Sequence, residues 1–160
     1  MQTCFNYPLY YAMSNAIGSS QSMHQLSQAF VDGQNYMGDI SNDMGIFFEN
    51  HDNARWINQH GGDEKKFKTA IACTMTWLGI PFIYYGAEQG MSGGNDPDNR
   101  QPLWQYGYSQ TSNYYTFIQK INKMLAKLSN GSLNQKELLV QDNFYAFSRG
   151  DKFVTILTNG

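Results

Sequence analysis

Hydrophobic and polar positions along this chain follow two periods, one helical and one alternating. "TCFNYPL" reads as a short β-rich strand ending at Pro8, and "YYAMSNAI" has helical spacing that stops at Gly18. Ser22 is placed to cap a helix over "MHQLSQAFV", with Met23, Leu26 and Phe30 on one face and Gly33 at its end. "GIFF" is a short continuous apolar strand, followed by a polar loop that closes on Gly61-Gly62. Asp63 caps the next helix, whose core stripe is Phe67, Ala70, Ile71, Thr74, Met75 and Leu78, and Gly79 stops it. "IPFIYYG" is a second continuous apolar strand. A loop rich in Gly, Asn, Asp and Pro then runs from Gly86 to about Gln110. Ser112 caps a last helix with Tyr115, Ile118, Ile121, Leu125 and Leu128 inward. After it the period becomes two: "ELLVQDN", "FYAFSRGD" and "KFVTILTN" alternate, with Gly150-Asp151 as a tight turn, and predict antiparallel hairpin.

Strand, helix, strand, helix, strand, helix is the order of parallel βαβ units, with strands buried on both faces. The fold class is therefore α/β, with an antiparallel unit at the end. Three such units leave two unpaired sheet edges. In folds of this kind the loops after the strands' carboxyl ends carry function. Two of these loops are long or polar, after Phe48 and after Tyr85, and both hold carboxylates. The first begins with Glu49, Asn50, His51 and Asp52, four hydrogen-bonding side chains in succession.

Composition narrows the possible partners. Charged residues are only 15 % and the net charge is −2, which recommends neither nucleic acid nor an anionic membrane. No apolar run reaches the roughly 20 residues of a membrane span. The N-terminus has no basic region followed by an apolar stretch, so it does not read as a signal peptide. Cys4 and Cys73 lie far apart, and two buried thiols are expected rather than a disulfide. Aromatics reach 15 %, alongside many Asn, Gln and Gly, which suits a neutral polyhydroxyl ligand and is equally what a compositional bias would give.

"FFENHDNARW" resembles the last signature segment of the α-amylase family, glycoside hydrolase family 13. Downstream, "GIPFIYYGAEQGMSGGNDPDNRQPLW" is similar to the strand, turn and loop of fungal-type α-amylases, and "FNYPLYYAMSNAI" to the preceding barrel strand and helix. The resemblance runs from Phe5 to Trp104 and extends loosely over the terminal hairpins. It implies a partial TIM (β/α)8 barrel, its last three βα units, followed by the start of an antiparallel β-sheet domain. The divisions are 1–130 for the barrel portion and 131–160 for the sheet domain.

Retaining glycoside cleavage needs a nucleophile and a general acid, which in this family come from earlier strands. The resemblance implies that Asp52 is the family's third acid, which holds ring hydroxyls at the cleavage subsite. His51 would bind the same sugar. Taken alone, Asp-Asn-Ala after a strand reads as a solvated acid or an Asx cap. Asp96 and Arg100 match residues that bind a sugar further along the glycone side, and they equally suit a staple within their own loop. Asn50 is expected to shape its loop, Glu49 to pair with Arg55 or an absent barrel partner, and Glu88 to anchor. Trp77 reads as core, while Trp56 and Trp104 are open as sugar platforms. His24 and His60 have no ligand partners at metal spacing. No cofactor is assigned to this chain, and calcium is implied for the longer parent, on upstream segments.

The leading expectation is a fragment of a retaining α-amylase acting on internal α-1,4 bonds of starch or glycogen, inactive alone and partnered by the missing N-terminal half of the barrel. The parent is expected to be extracellular. Two alternatives remain at this point: a non-catalytic α-glucan-binding protein, and a truncated remnant that self-associates through bare strand edges.

Overall fold

A computed structural model describes residues 4–127 and 134–160, without the side chains of residues 39–41. Asn6 caps the first helix, α1 (Tyr7–Met13), by accepting the Leu9 N–H at 2.9 Å. Pro8 sits in the first turn of α1, where a missing N–H is harmless, so it does not end a strand as the sequence suggested. All that remains of that strand is a parallel bridge from Phe5 to Gly45. The helix continues as one widened turn, Ser14–Gly18.

Helix α2 (His24–Met37) runs past Gly33 and ends at Gly38, whose φ of 52° is one that glycine adopts without strain. Ser22 only partly caps it. Its hydroxyl accepts from the His24 N–H at 3.3 Å and donates to Asp142 at 2.7 Å. Strand β1 (Gly45–Ile46) follows, then a short helix α3 (Trp56–Gln59) that the apolar pattern did not indicate. Asp63 accepts the N–H groups of Lys65 and Lys66, as expected, and starts α4 (Glu64–Thr76). The stripe from Phe67 to Met75 on α4 is buried, and so is Leu78 beyond its end.

Strand β2 (Ile80–Pro81) pairs in parallel with β1. Gly79 allows this approach: its φ is 133°, and a Cβ there would lie 2.6 Å from the Met44 carbonyl oxygen. Both strands were expected to be covered on both faces. Only β1 is: Ile46 and Phe48 are buried, whereas Ile80, Phe82 and Tyr85 stand exposed, and among the described residues no further strand pairs with β2. Helix α5 (Asn113–Ala126) is capped by Ser112, which accepts the Tyr115 N–H at 3.1 Å. Ile121, Ile118 and Leu125 face the core with Tyr114 and Phe117, while Tyr115 lines an open groove beside Ile83. Leu128 lies outside the described residues.

Strands β3 (Gln135–Gln141), β4 (Phe144–Arg149) and β5 (Phe153–Thr158) form an antiparallel sheet in that order. Glu137 and Leu139 oppose Phe147 and Ala146, leaving Leu138 as an extra, bulged residue. The sheet docks through Trp77, stacked on Tyr145 at 5.8 Å and edge-on to Phe147 at 5.3 Å. Arg149 donates to the Thr76 and Trp77 carbonyls at the end of α4, at 2.9 and 2.6 Å. Tyr145, Phe147 and Leu157 thereby join the same apolar cluster as the helices. The boundary expected at 130/131 lies outside the described residues.

Candidate functional site

The polar quartet leaves β1 where the apolar pattern ends. Phe48 turns into the core against Trp56 and Phe67 at a bend just past β1, and Glu49 follows it. Glu49 is only 2 % exposed and is fully paired. One oxygen accepts from Arg55 Nη1 and the other from the Trp56 N–H, both at 3.0 Å. Burial pushes its carboxyl above the usual range, and the guanidinium and the Trp56 amide pull it back.

Arg55 is equally buried, and every part of its head is used. Nε donates to the Asn99 carbonyl at 2.9 Å, Nη2 approaches Met91 Sδ at 3.4 Å, and the guanidinium lies over the Tyr84 and Tyr85 rings at 4.1 and 4.9 Å. The sequence left Glu49 with two possible partners. Arg55 is the one it has.

Asn50 shapes the loop. Its Oδ1 accepts from the Asp52 N–H at 3.0 Å, the Asn53 N–H at 3.2 Å and the Asn53 side-chain amide at 2.9 Å. The Asx cap that Asp52 could have supplied is therefore made by Asn50. The Asp52 side chain is 57 % exposed, and its Oδ1 lies 3.2 Å from His51 Nε2.

The second loop folds over the first. Asp96 and Arg100 face one another at 3.4 Å, and Arg100 Nε also donates to the His51 carbonyl at 3.1 Å. Arg100 therefore does staple loops, and it ties Asp96's loop to the one holding Asp52. Asn99, which the sequence reading passed over, is fully buried and donates to the carbonyls of His51 and Asn53. The four residues singled out, His51, Asp52, Asp96 and Arg100, thus lie on two loops joined by direct hydrogen bonds.

Next to these loops is a cavity of about 390 Å3 walled by Phe5, Tyr7, Phe47, Phe82, Tyr84 and Tyr85, which Glu49, Asn50 and His51 also line. Its aromatic walls are the open side of the two-stranded parallel sheet, and the polar loop residues Glu49, Asn50 and His51 reach it only at one end. Trp56 is buried against His60 and Trp77 is core, so neither is a platform, while Trp104 is 68 % exposed. Glu88 accepts the Gly86 N–H at 2.8 Å, which is an anchoring contact. Among the described residues, no three His, Cys, Asp or Glu side chains gather where a metal ion would sit.

Comparison with known proteins gives this geometry a context. Alpha-amylase 2 of Schwanniomyces occidentalis is 42 % identical over 120 residues, which cover 74 % of this chain and 23 % of that protein. The structure of an alpha-amylase from Malbranchea cinnamomea superposes with a TM-score of 0.90 at 28 % identity, over 98 % of this chain and 34 % of that one. An alpha-amylase from Geobacillus thermoleovorans, solved with acarbose, gives a TM-score of 0.79 at 25 % identity, over 93 % of this chain and 34 % of that one. The chain thus spans about a quarter of the first of these proteins and about a third of the other two. Its parallel strands and helices are part of a TIM (β/α)8 barrel, and the antiparallel strands that follow match the start of the sheet domain beyond it. The profile described as the catalytic domain of alpha amylase matches residues 1–144, and the chain belongs to that family.

Proposed function

We propose that this chain supplies one acid and part of the sugar-binding loops to a retaining hydrolase of internal α-1,4 bonds in starch-type glucans. Residues 1–130 would be the barrel portion and 131–160 the beginning of the sheet domain. The observation that carries the reading is the state of Asp52: its carboxylate stands exposed at a strand's carboxyl end, released from capping because Asn50 does that work.

In the reaction, a nucleophilic carboxylate attacks the anomeric carbon while an acid protonates the leaving oxygen, through an oxocarbenium-like state. Both groups would come from the remaining barrel strands. Asp52 would accept hydrogen bonds from two neighbouring ring hydroxyls, and these strengthen as positive charge grows on the ring. His51, 3.2 Å from that carboxylate, would donate to the same sugar. Asp96 and Arg100 would serve a glucose further along the glycone side. Calcium in the longer protein would be held by upstream segments. The parent is proposed to act outside the cell.

The test mixes the chain with a polypeptide carrying the other barrel strands and follows starch hydrolysis. No turnover is expected from the chain alone. Turnover is expected from the mixture, falling by about 10²-fold or more with Asp52→Asn. Hydrolysis by the chain alone, unaffected by Asp52→Asn, would overturn the proposal.

A further inference from the structure

Asp52 has to be aimed, and it sits on a loop without regular structure. Two asparagines hold that loop from opposite sides. From within the loop, Asn50 accepts the N–H groups of Asp52 and Asn53. From the other loop, Asn99 spends both hydrogens of its amide on the carbonyls that flank Asp52: His51 at 2.8 Å and Asn53 at 2.9 Å. Asn99 is fully buried, and its backbone carbonyl accepts from Arg55 Nε at 2.9 Å. Arg55 is in turn locked by Glu49 and by its backbone bond to Gly93 at 2.9 Å. A chain of contacts therefore runs from Glu49 through Arg55 and Asn99 to the carbonyls of the residues on either side of Asp52.

We infer that Asn99 is a positioning residue for Asp52: its buried amide clamps the two backbone carbonyls bracketing that acid and so fixes where the carboxylate points. The inference rests on reading Asp52 as the sugar-holding acid. An amide is required at this position because the clamp needs two donors on one nitrogen. A carboxylate of the same shape has none and would be repelled by both carbonyls. The clamp spans 46 to 48 residues of sequence, so it also sets the two sugar-binding loops in one register.

The experiment compares Asn99→Asp, Asn99→Ala and Leu157→Ala in the 160-residue chain. Leu157 is buried in the terminal sheet and serves as a control for general destabilisation. Hydrogen exchange of the Asp52 and Asn53 amides is read at matched distance from each variant's melting temperature. Both Asn99 variants should speed these two amides by about tenfold relative to the control while leaving the sheet amides unchanged. Exchange no faster than in Leu157→Ala, or a uniform rise across all amides, would show that Asn99 merely stabilises and would overturn the inference. Uniformly fast exchange in the unsubstituted chain would overturn it as well. Calorimetry with maltopentaose is run on the same proteins. If the unsubstituted chain binds and only the Asn99 variants weaken binding, the clamp and the role of Asp52 are both supported. If it does not bind, the chain alone is no glucan binder, the role of Asp52 is decided by the Asp52→Asn mixture, and the exchange comparison still decides the role of Asn99.

Discussion

Glu49 and Arg55 show how much a single buried pair organises. Removing one partner strands the other's charge away from water. Arg55→Ala should therefore cost about 3–5 kcal/mol in urea unfolding, whereas replacing both by apolar residues of similar size should cost far less. A single-variant loss no larger than that of the double variant would contradict this. His60 gives a pH dependence of definite sign. Its ring packs on Trp56 with a centroid distance of 4.3 Å, and Nε2 lies 3.3 Å from the Ser14 hydroxyl. Burial, and after it the Lys66 charge, lower its pKa below the ordinary 6.5. The folded chain thus gives up this proton more readily than the unfolded chain does. The stability that goes with neutral His60 is present above pH 6.5 and is lost as pH falls through 6.5 to the lowered value. Melting temperatures across that range should fall more steeply for the unsubstituted chain than for His60→Gln; equal slopes would refute the assignment. Asn99 was not legible at this level of detail. An Asn in a Gly- and Pro-rich loop looks like turn chemistry, and its partners lie in another loop.

The helices were legible because their signals are local. Asp63 and Ser112 announce helix starts through side-chain oxygens that reach an N–H two or three residues on, and both do so. Ser112→Ala removes that bond and also a 2.6 Å bond to the Glu88 carbonyl, and should cost about 1–2 kcal/mol by thermal or urea unfolding. Pro8 misled because the same residue suits a strand's end and a helix's first turn, and the decision fell to the Asn6 cap. Gly33 misled because a single glycine costs a helix only about 1 kcal/mol, and the chain stays helical to Met37. Helix α3 was invisible: four residues carry no period. Gly18 has a role that spacing did not reveal, since a Cβ there would overlap the His60 ring. Gly18→Ala should destabilise by about 1–3 kcal/mol, with His60→Ala restoring part of the loss. No recovery in the double variant would place the cause elsewhere.

Across the whole molecule, the pattern gave the parallel and antiparallel parts in order but could not tell which strand would be covered. Continuous apolar runs look alike whether buried or waiting for a neighbour. Here β1 is enclosed, while the Phe5, Ile80, Phe82 and Tyr85 side chains form an open aromatic and aliphatic face. The proposed use of this face as a seat for further barrel strands predicts that the chain alone binds an apolar dye strongly and that the complementary barrel strands displace it. A Phe82→Lys chain should lose both dye binding and complementation, and unchanged behaviour would argue against that seat.

Where a glucan meets this surface decides the role of Asp52. A crystal of the chain soaked in a maltooligosaccharide should show the Asp52 carboxylate within about 2.5–2.8 Å of two adjacent hydroxyls of one glucose, with His51 on the same ring. Sugar bound elsewhere with Asp52 facing its own backbone would contradict it.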